Sequence, residues 1–283
     1  MLFSSRGSSI QVKNEANLAA MRAAGRLASE CLAWILPQVT PGMCTLDVDD
    51  LQMQFARKHG VAPAPLGYKG FPRSICTSIN DVICHGIPSK DVVLRDGDII
   101  GIDVTLILDG MHGDNAATIP VGIVDDEVMR LLTTTLESQR RGVEAVRPGA
   151  RVGDIGAAIQ QTVEPHGYTV VRDFVGHGIG KRFHEEPQIP HYGTAGRGFR
   201  LREGMTFTIE PMINQGTPDS EVQDDGWTAL TVDGSLSAQY EHTLEVTPDG
   251  VRVLTVQNDE GVWEPPGRWY PPGWRASDAQ TTG

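Results

Sequence analysis

The chain has 283 residues, with 40% hydrophobic and 21% charged side chains, which is enough apolar material for a folded core and excludes general disorder. Its 36 acidic against 24 basic residues leave a formal charge of −12, which repels a phosphate backbone and turns attention to cationic partners, metal ions among them. Four irregularly spaced cysteines (Cys31, Cys44, Cys76, Cys84) form no CxxC and suggest neither a disulfide framework nor a zinc finger, and no stretch is apolar enough to span a bilayer. A soluble protein of a reducing cytoplasm is expected, without direct nucleic-acid or membrane binding.

From Asn14, apolar residues at Leu18, Met21, Ala28, Leu32 and Ile35 recur at helical steps until Pro37 and Pro41-Gly42, predicting an amphipathic helix. Thr45 is the expected cap of a second helix, acidic in its first turn and ending at His59-Gly60. A third helix is predicted over about Asp126–Val146 and a fourth from Asp154 to His166-Gly167. Strand-like runs include Asp98–Leu108 and Met205–Ile209.

An internal repeat organises these elements. An offset of 107 residues carries Pro41-Gly42, Asp47 and His59-Gly60 onto Pro148-Gly149, Asp154 and His166-Gly167. The same shift carries Leu94-Arg95-Asp96-Gly97 onto Leu201-Arg202-Glu203-Gly204, and Asp103 onto Glu210. Two similar halves, each with helices followed by a strand bearing an acid, predict a pseudo-twofold α+β domain with a site between them.

Asp109-Gly110 is a two-residue hairpin signal. Pairing Leu108 with Met111 sets Thr105 opposite Asp114 and brings Asp103 onto the same face, so the two acids approach each other. Taken alone, such a pair reads more readily as exposed acids on a wet hairpin. The second half, however, supplies another pair, Glu210 at the end of an apolar strand and Glu241 within the run Leu236–Val246. Four carboxylates balance two divalent cations, and one imidazole would complete a mixed O/N donor set. His85, His177 and His184 all qualify, the first two flanked by glycines that let the backbone approach a site closely.

The strings FPRSICTSINDVICHGIP, GIDVTLILDGMHGDN, GHGIGKRFHEEPQIPHY, FTIEPM and SLSAQYEHT, in that order, resemble the type I methionine aminopeptidases of bacterial type. The resemblance runs from about Asn14 to Val256 and implies the pita-bread fold, with an antiparallel sheet core and outer helices. It implies that Asp103, Asp114, His177, Glu210 and Glu241 bind two divalent metal ions (Mn, Fe, Co or Zn), and that the chain removes N-terminal Met from nascent peptides with a small second residue. A hydroxide bridging the metals would attack the first peptide bond, with Glu210 also shuttling the proton. His184 would donate to the carbonyl oxygen and His85 would contact the scissile nitrogen. Tyr68, Phe71, Cys76, Phe183 and Trp227, with both histidines, would contact the substrate. Phe71 stands where a Tyr is also common in the family, and Pro65 where some members carry Cys. A monomer in transient contact with the ribosome is expected, and the bulky Leu2 implies that the chain keeps its own Met1.

On this reading residues 1–13 are an N-terminal segment, 14–256 a single catalytic domain, and 257–283 a Pro/Trp-rich extension. The extension holds three of the five Trp, which are costly to leave solvated. It is expected to strap onto the domain surface, with a mobile partner-recruiting tail as the alternative and disorder from about Ser277.

Overall fold

The computed structural model describes residues 10–272; the expectations for Met1 and for the chain beyond Ser277 lie outside the described residues. In the first half, α1 (Glu15–Ile35) and α2 (Thr45–His59) precede β1 (Ala62–Pro63), β2 (Cys76–Ile79), β3 (Val82–Cys84), β4 (Ile99–Leu108) and β5 (Met111–Pro120). In the second, α3 (Asp126–Glu144) and α4 (Val152–Val163) precede β6 (Thr169–Val170), β7 (Gly176–Gly178), β8 (Glu185–Ile189), β9 (Thr206–Ile209) and β10 (Met212–Asn214). The chain continues through β11 (Ser220–Val222), β12 (Ala229–Thr231), β13 (Ser237–Gln239), β14 (His242–Val246) and β15 (Val251–Val253).

Helix starts follow their caps. Asn14 Oδ1 accepts from the Asn17 N–H at 2.9 Å and opens α1. Thr45 is the first helical residue of α2, one position inside its expected place as cap, because the Asp47 carboxylate reaches back 2.8 Å to the N–H of Cys44, the true N-cap. The same device starts α4 at Val152, two residues before the expected Asp154: that carboxylate reaches back 2.7 Å to the N–H of Arg151. The regular helix also ends earlier, at Val163, with Glu164–His166 forming a 3-10 turn.

The 107-residue offset is visible bond by bond. Gly42 N–H donates to Leu94 O at 2.8 Å, and Gly149 N–H donates to Leu201 O at 2.9 Å. Leu94 N–H in turn donates to Met43 O, and Leu201 N–H to Ala150 O, both at 2.8 Å. Each half keeps its own core. Ile100, Ile102, Val104 and Leu106 of β4 pack with Leu32 and Ile35 of α1 and with Tyr240. Leu131 of α3, Ile155 and Ile159 of α4, Phe207 of β9 and Leu244 of β14 form the other. Burial of these side chains supplies most of the folding drive.

All sheet pairings are antiparallel. β4 pairs along its whole length with β5, and its other edge is shared by β2, at Ile100–Asp103, and β1, at Leu106 and Ile107. The second half builds a five-stranded sheet in the order β15-β14-β9-β7-β8. The two are stitched by an Ala117–Tyr240 bridge and by Glu241 N–H donating to Ala116 O at 2.9 Å. The seam between the cores therefore runs where the four acids lie. Among the described residues, no helix is long and apolar enough to cross a membrane.

The extension packs against both cores through Trp263 and Trp269. Trp263 Nε1 donates to Gln139 Oε1 of α3 at 2.7 Å.

Candidate metal centre

The hairpin forms in the expected register: Leu108 faces Met111, Thr105 faces Asp114, and Asp103 faces Ala116. Asp109 and Gly110 have φ of 49° and 76°, the positive values that a type I′ turn requires. Alternation then sets Asp103 and Asp114 on one face. Glu210 follows β9, Glu241 immediately precedes β14, and His177 is the central residue of β7, the neighbour of β9. Five side chains far apart in sequence thus meet at the seam.

Their hydrogen bonds fix orientation without neutralising charge. Thr105 Oγ1 donates to Asp114 Oδ1 at 2.6 Å. Thr208 Oγ1 donates to Glu210 Oε1 at 2.6 Å while accepting the His177 N–H at 3.0 Å, and Gln239 Nε2 donates to Glu210 Oε2 at 3.2 Å. His177 Nδ1 lies 3.0 Å from Gly178 O. A carbonyl only accepts, so Nδ1 carries the proton and the Nε2 lone pair faces Asp114 Oδ2 and Glu210 Oε1, each 3.7 Å away. One oxygen each of Asp114 and Glu241 and one ring nitrogen of His177 lie within 4.8 Å of one another.

Burial penalises the ionised acids, and their mutual proximity adds to the penalty. Asp103 is pushed up to about 7 and Glu210 to about 8, while Asp114 and Glu241 are raised well above the ordinary carboxylate range. Burial also lowers His177 and His85, each to about 4, so both rings are neutral at pH 7. Asp103 Oδ1 and Glu241 Oε1 are buried without a hydrogen-bond partner. Such orphaned oxygens are costly unless a cation meets them. Four carboxylates with one outward-facing imidazole nitrogen fit divalent ions that accept O and N donors.

A stability prediction follows from these shifts. Above about pH 7.5 the histidines are largely neutral in folded and unfolded chains alike, whereas folded Glu210, Asp114 and Glu241 retain protons that the unfolded chain, with ordinary values near 4, has released. The metal-free protein is therefore expected to lose stability as pH rises from about 7.5 to 8.5. A saturating divalent cation, which needs the ionised acids, should oppose that loss. Thermal melting with and without Mn(II) across this window checks it, and a metal-free Tm that rises over the window would contradict it.

The cluster forms the floor of a cavity of about 280 Å³, and all twelve residues singled out from the sequence line it. Tyr68 lies against Phe183 and His184, with ring centroids 5.0 and 5.2 Å apart, and His184 is exposed. Trp227 meets Phe71 edge-on at 5.2 Å and His85 at 6.2 Å. His177 and His184 rings lie 4.1 Å apart.

The cavity also contains residues that sequence reasoning missed: Lys69, Asp173, Phe174, Val175, Gln188 and Met212. Thr105 and Thr208, which orient Asp114 and Glu210, were within reach of the alternation argument, since Thr105 faces Asp114 across the hairpin and Thr208 stands two residues before Glu210. His191 carried no such signal; its Nε2 accepts the Glu210 N–H at 3.0 Å from a fully buried position.

Residues 19–248 match the model of metallopeptidase family M24, and the chain belongs to that family. Its similarity to characterised members is high along nearly their whole length. It is 56% identical to methionine aminopeptidase A of Synechocystis over 88% of this chain and 99% of that one. The crystal structure of methionine aminopeptidase from Rickettsia prowazekii superposes with a TM-score of 0.86 at 51% identity, covering 88% of this chain and 100% of that one. Prolidase from Pyrococcus furiosus shares the fold at a TM-score of 0.69 and 21% identity, with 87% of this chain and 66% of that one covered.

Proposed function

We propose that the chain is a metal-dependent exopeptidase that removes the N-terminal methionine from peptides and nascent proteins, preferring a small second residue. The observation that carries this reading is the seam cluster of Asp103, Asp114, His177, Glu210 and Glu241 at the floor of an aromatic cavity. These five side chains are the proposed ligands of two divalent ions, Mn, Fe, Co or Zn. When bound, the ions would supply Lewis acidity and a nucleophile at neutral pH.

The remaining chemistry belongs to the chain's own side chains. Tyr68, Phe71, Cys76, Phe183 and Trp227 offer rings and a thiol to a thioether, which packs well against aromatic faces. The small cavity accommodates a Met side chain with little further bulk, in keeping with the preference at the second position. Asp103 offers a carboxylate to the free α-amino group, which an exopeptidase must recognise. Glu210 is also the proposed group that takes a proton and returns it to the departing nitrogen. His184 donates toward the carbonyl oxygen as charge develops there, and neutral His85 contacts the departing nitrogen. The reading carries with it a monomer acting in the cytoplasm, where nascent chains present their N-termini, in transient contact with the ribosome.

The pocket assignment has a direct consequence. Trp227→Ala removes the wall that meets Phe71, and kcat/KM for Met-Ala-Ser is expected to fall by about tenfold while discrimination between Met and bulkier first residues weakens. Steady-state kinetics on peptides differing only at the first residue check this; unchanged discrimination would remove Trp227 from the pocket. The function itself is tested by incubating the protein with Mn(II) and equal amounts of Met-Ala-Ser, Met-Leu-Ser and Ala-Pro-Ala. Release of Met from the first, slower release from the second and none of Ala from the third are expected. Cleavage confined to the proline peptide would assign the site to prolidase-like chemistry instead.

A further inference from the structure

The extension lies beyond the span matched by the family model, residues 19–248, and reaches the back of the segment that carries Glu241. Glu241 lines the cavity. Its neighbours Tyr240 and His242 are fully buried, and Tyr240 packs in the first-half core. Both are held by the extension. The ring of Tyr240 stacks with Trp269, centroids 6.2 Å apart and planes 16° apart, while its hydroxyl donates to Thr118 O. His242 Nε2 lies 2.8 Å from the backbone oxygen of Glu264 and Nδ1 lies 2.8 Å from Thr255 Oγ1. The carbonyl accepts, so Nε2 carries the hydrogen and Nδ1 accepts from the Thr255 hydroxyl.

The extension is itself anchored. Trp263 bonds to α3 as described, and Glu264 Oε1 accepts the Gln257 N–H at 2.7 Å. Gly267 has φ of 62° and lies so close to α1 that a Cβ there would come within 2.5 Å of Leu36 Cδ1 and 2.9 Å of Leu32 Cγ. Meanwhile Tyr240 and Glu241 fall between β13 and β14, outside the regular ladders, held on the backbone side by the Ala117 bridge and the Ala116 bond. A segment with so few ladder bonds depends on side-chain support.

We propose that residues 263–269 form a positioning strap, in which Trp269 acting through Tyr240 and the Glu264 carbonyl acting through His242 hold Glu241 in its metal-binding geometry. The proposal rests on the reading of Glu241 as a ligand. Outer-shell partners of this kind set the orientation of the ligand, and their loss commonly costs tenfold or more in metal affinity.

Calorimetric titration of metal-depleted full-length protein with Mn(II) tests it, with folding verified by circular dichroism. Trp269→Ala is expected to weaken Mn(II) binding by about tenfold, and Trp269→Phe, which keeps the ring stack, to restore it. Glu241→Gln separates the two readings: unchanged Mn(II) binding in that variant would overturn the ligand assignment. Loss in Glu241→Gln with wild-type affinity in folded Trp269→Ala would overturn the strap alone. Hydrogen exchange on the unaltered protein needs no variant to fold. Mn(II) is expected to slow amide exchange at 263–269 together with 240–244, and slowing confined to 240–244 would also overturn the strap.

Discussion

Glu210→Gln is expected to lower kcat/KM for Met-Ala-Ser by about 10²–10⁴-fold, the usual contribution of a positioned acid or base. The amide keeps the shape of the side chain and can still accept from Thr208, and its NH₂ can donate to Gln239 once that amide turns its oxygen inward, so the pocket should survive. What it loses is the capacity to hold and release a proton near neutral pH, together with one negative charge of the cluster. A variant that folds, melts as the native chain does and retains full activity would remove Glu210 from the chemistry.

Asp114→Asn is expected to weaken divalent-metal binding by more than about 100-fold, beyond what outer-shell changes cost. Asp114 is buried, accepts the Thr105 hydroxyl through one oxygen and turns the other toward His177 Nε2. The amide could keep the threonine bond by presenting its oxygen there, which leaves an NH₂ aimed at the cation position. Relief of repulsion among four buried acids should meanwhile stabilise the metal-free protein. Calorimetry and thermal melting read the two effects separately; a Mn(II) affinity equal to that of the native chain would exclude Asp114 from the ligand set.

Much of this site was legible before the fold, for identifiable reasons. The Asp109-Gly110 turn and strand alternation define which residues of the hairpin face each other, and the observed register is the one they imply. The 107-residue offset survived in the sequence because it repeats backbone requirements: Gly42, Gly60 and Gly97, like Gly149, Gly167 and Gly204, all have positive φ. Choice among the histidines was not legible from spacing. His85 and His177 both adjoin glycines, and it is the Nδ1 contact with Gly178 O that turns the Nε2 of His177 toward two acids. Helix starts were misplaced at α2 and α4 because an acid at the third helical position caps from within. Gln239 and His191 escaped because their contribution depends on segments brought together only by folding. The packing of Trp263 and Trp269 was anticipated from the cost of exposing them, but no pattern foretold that Trp269 would stack on Tyr240, beside Glu241.

The central claim, that the seam cluster removes N-terminal methionine only when it holds divalent metal, is tested most directly by titrating Mn(II) into metal-depleted protein with Met-Ala-Ser and following free Met by mass spectrometry. The account predicts no release before Mn(II) is added, release that rises with Mn(II) to saturation, and its loss in Glu210→Gln. Full release of Met by the metal-depleted protein in excess chelator would contradict it.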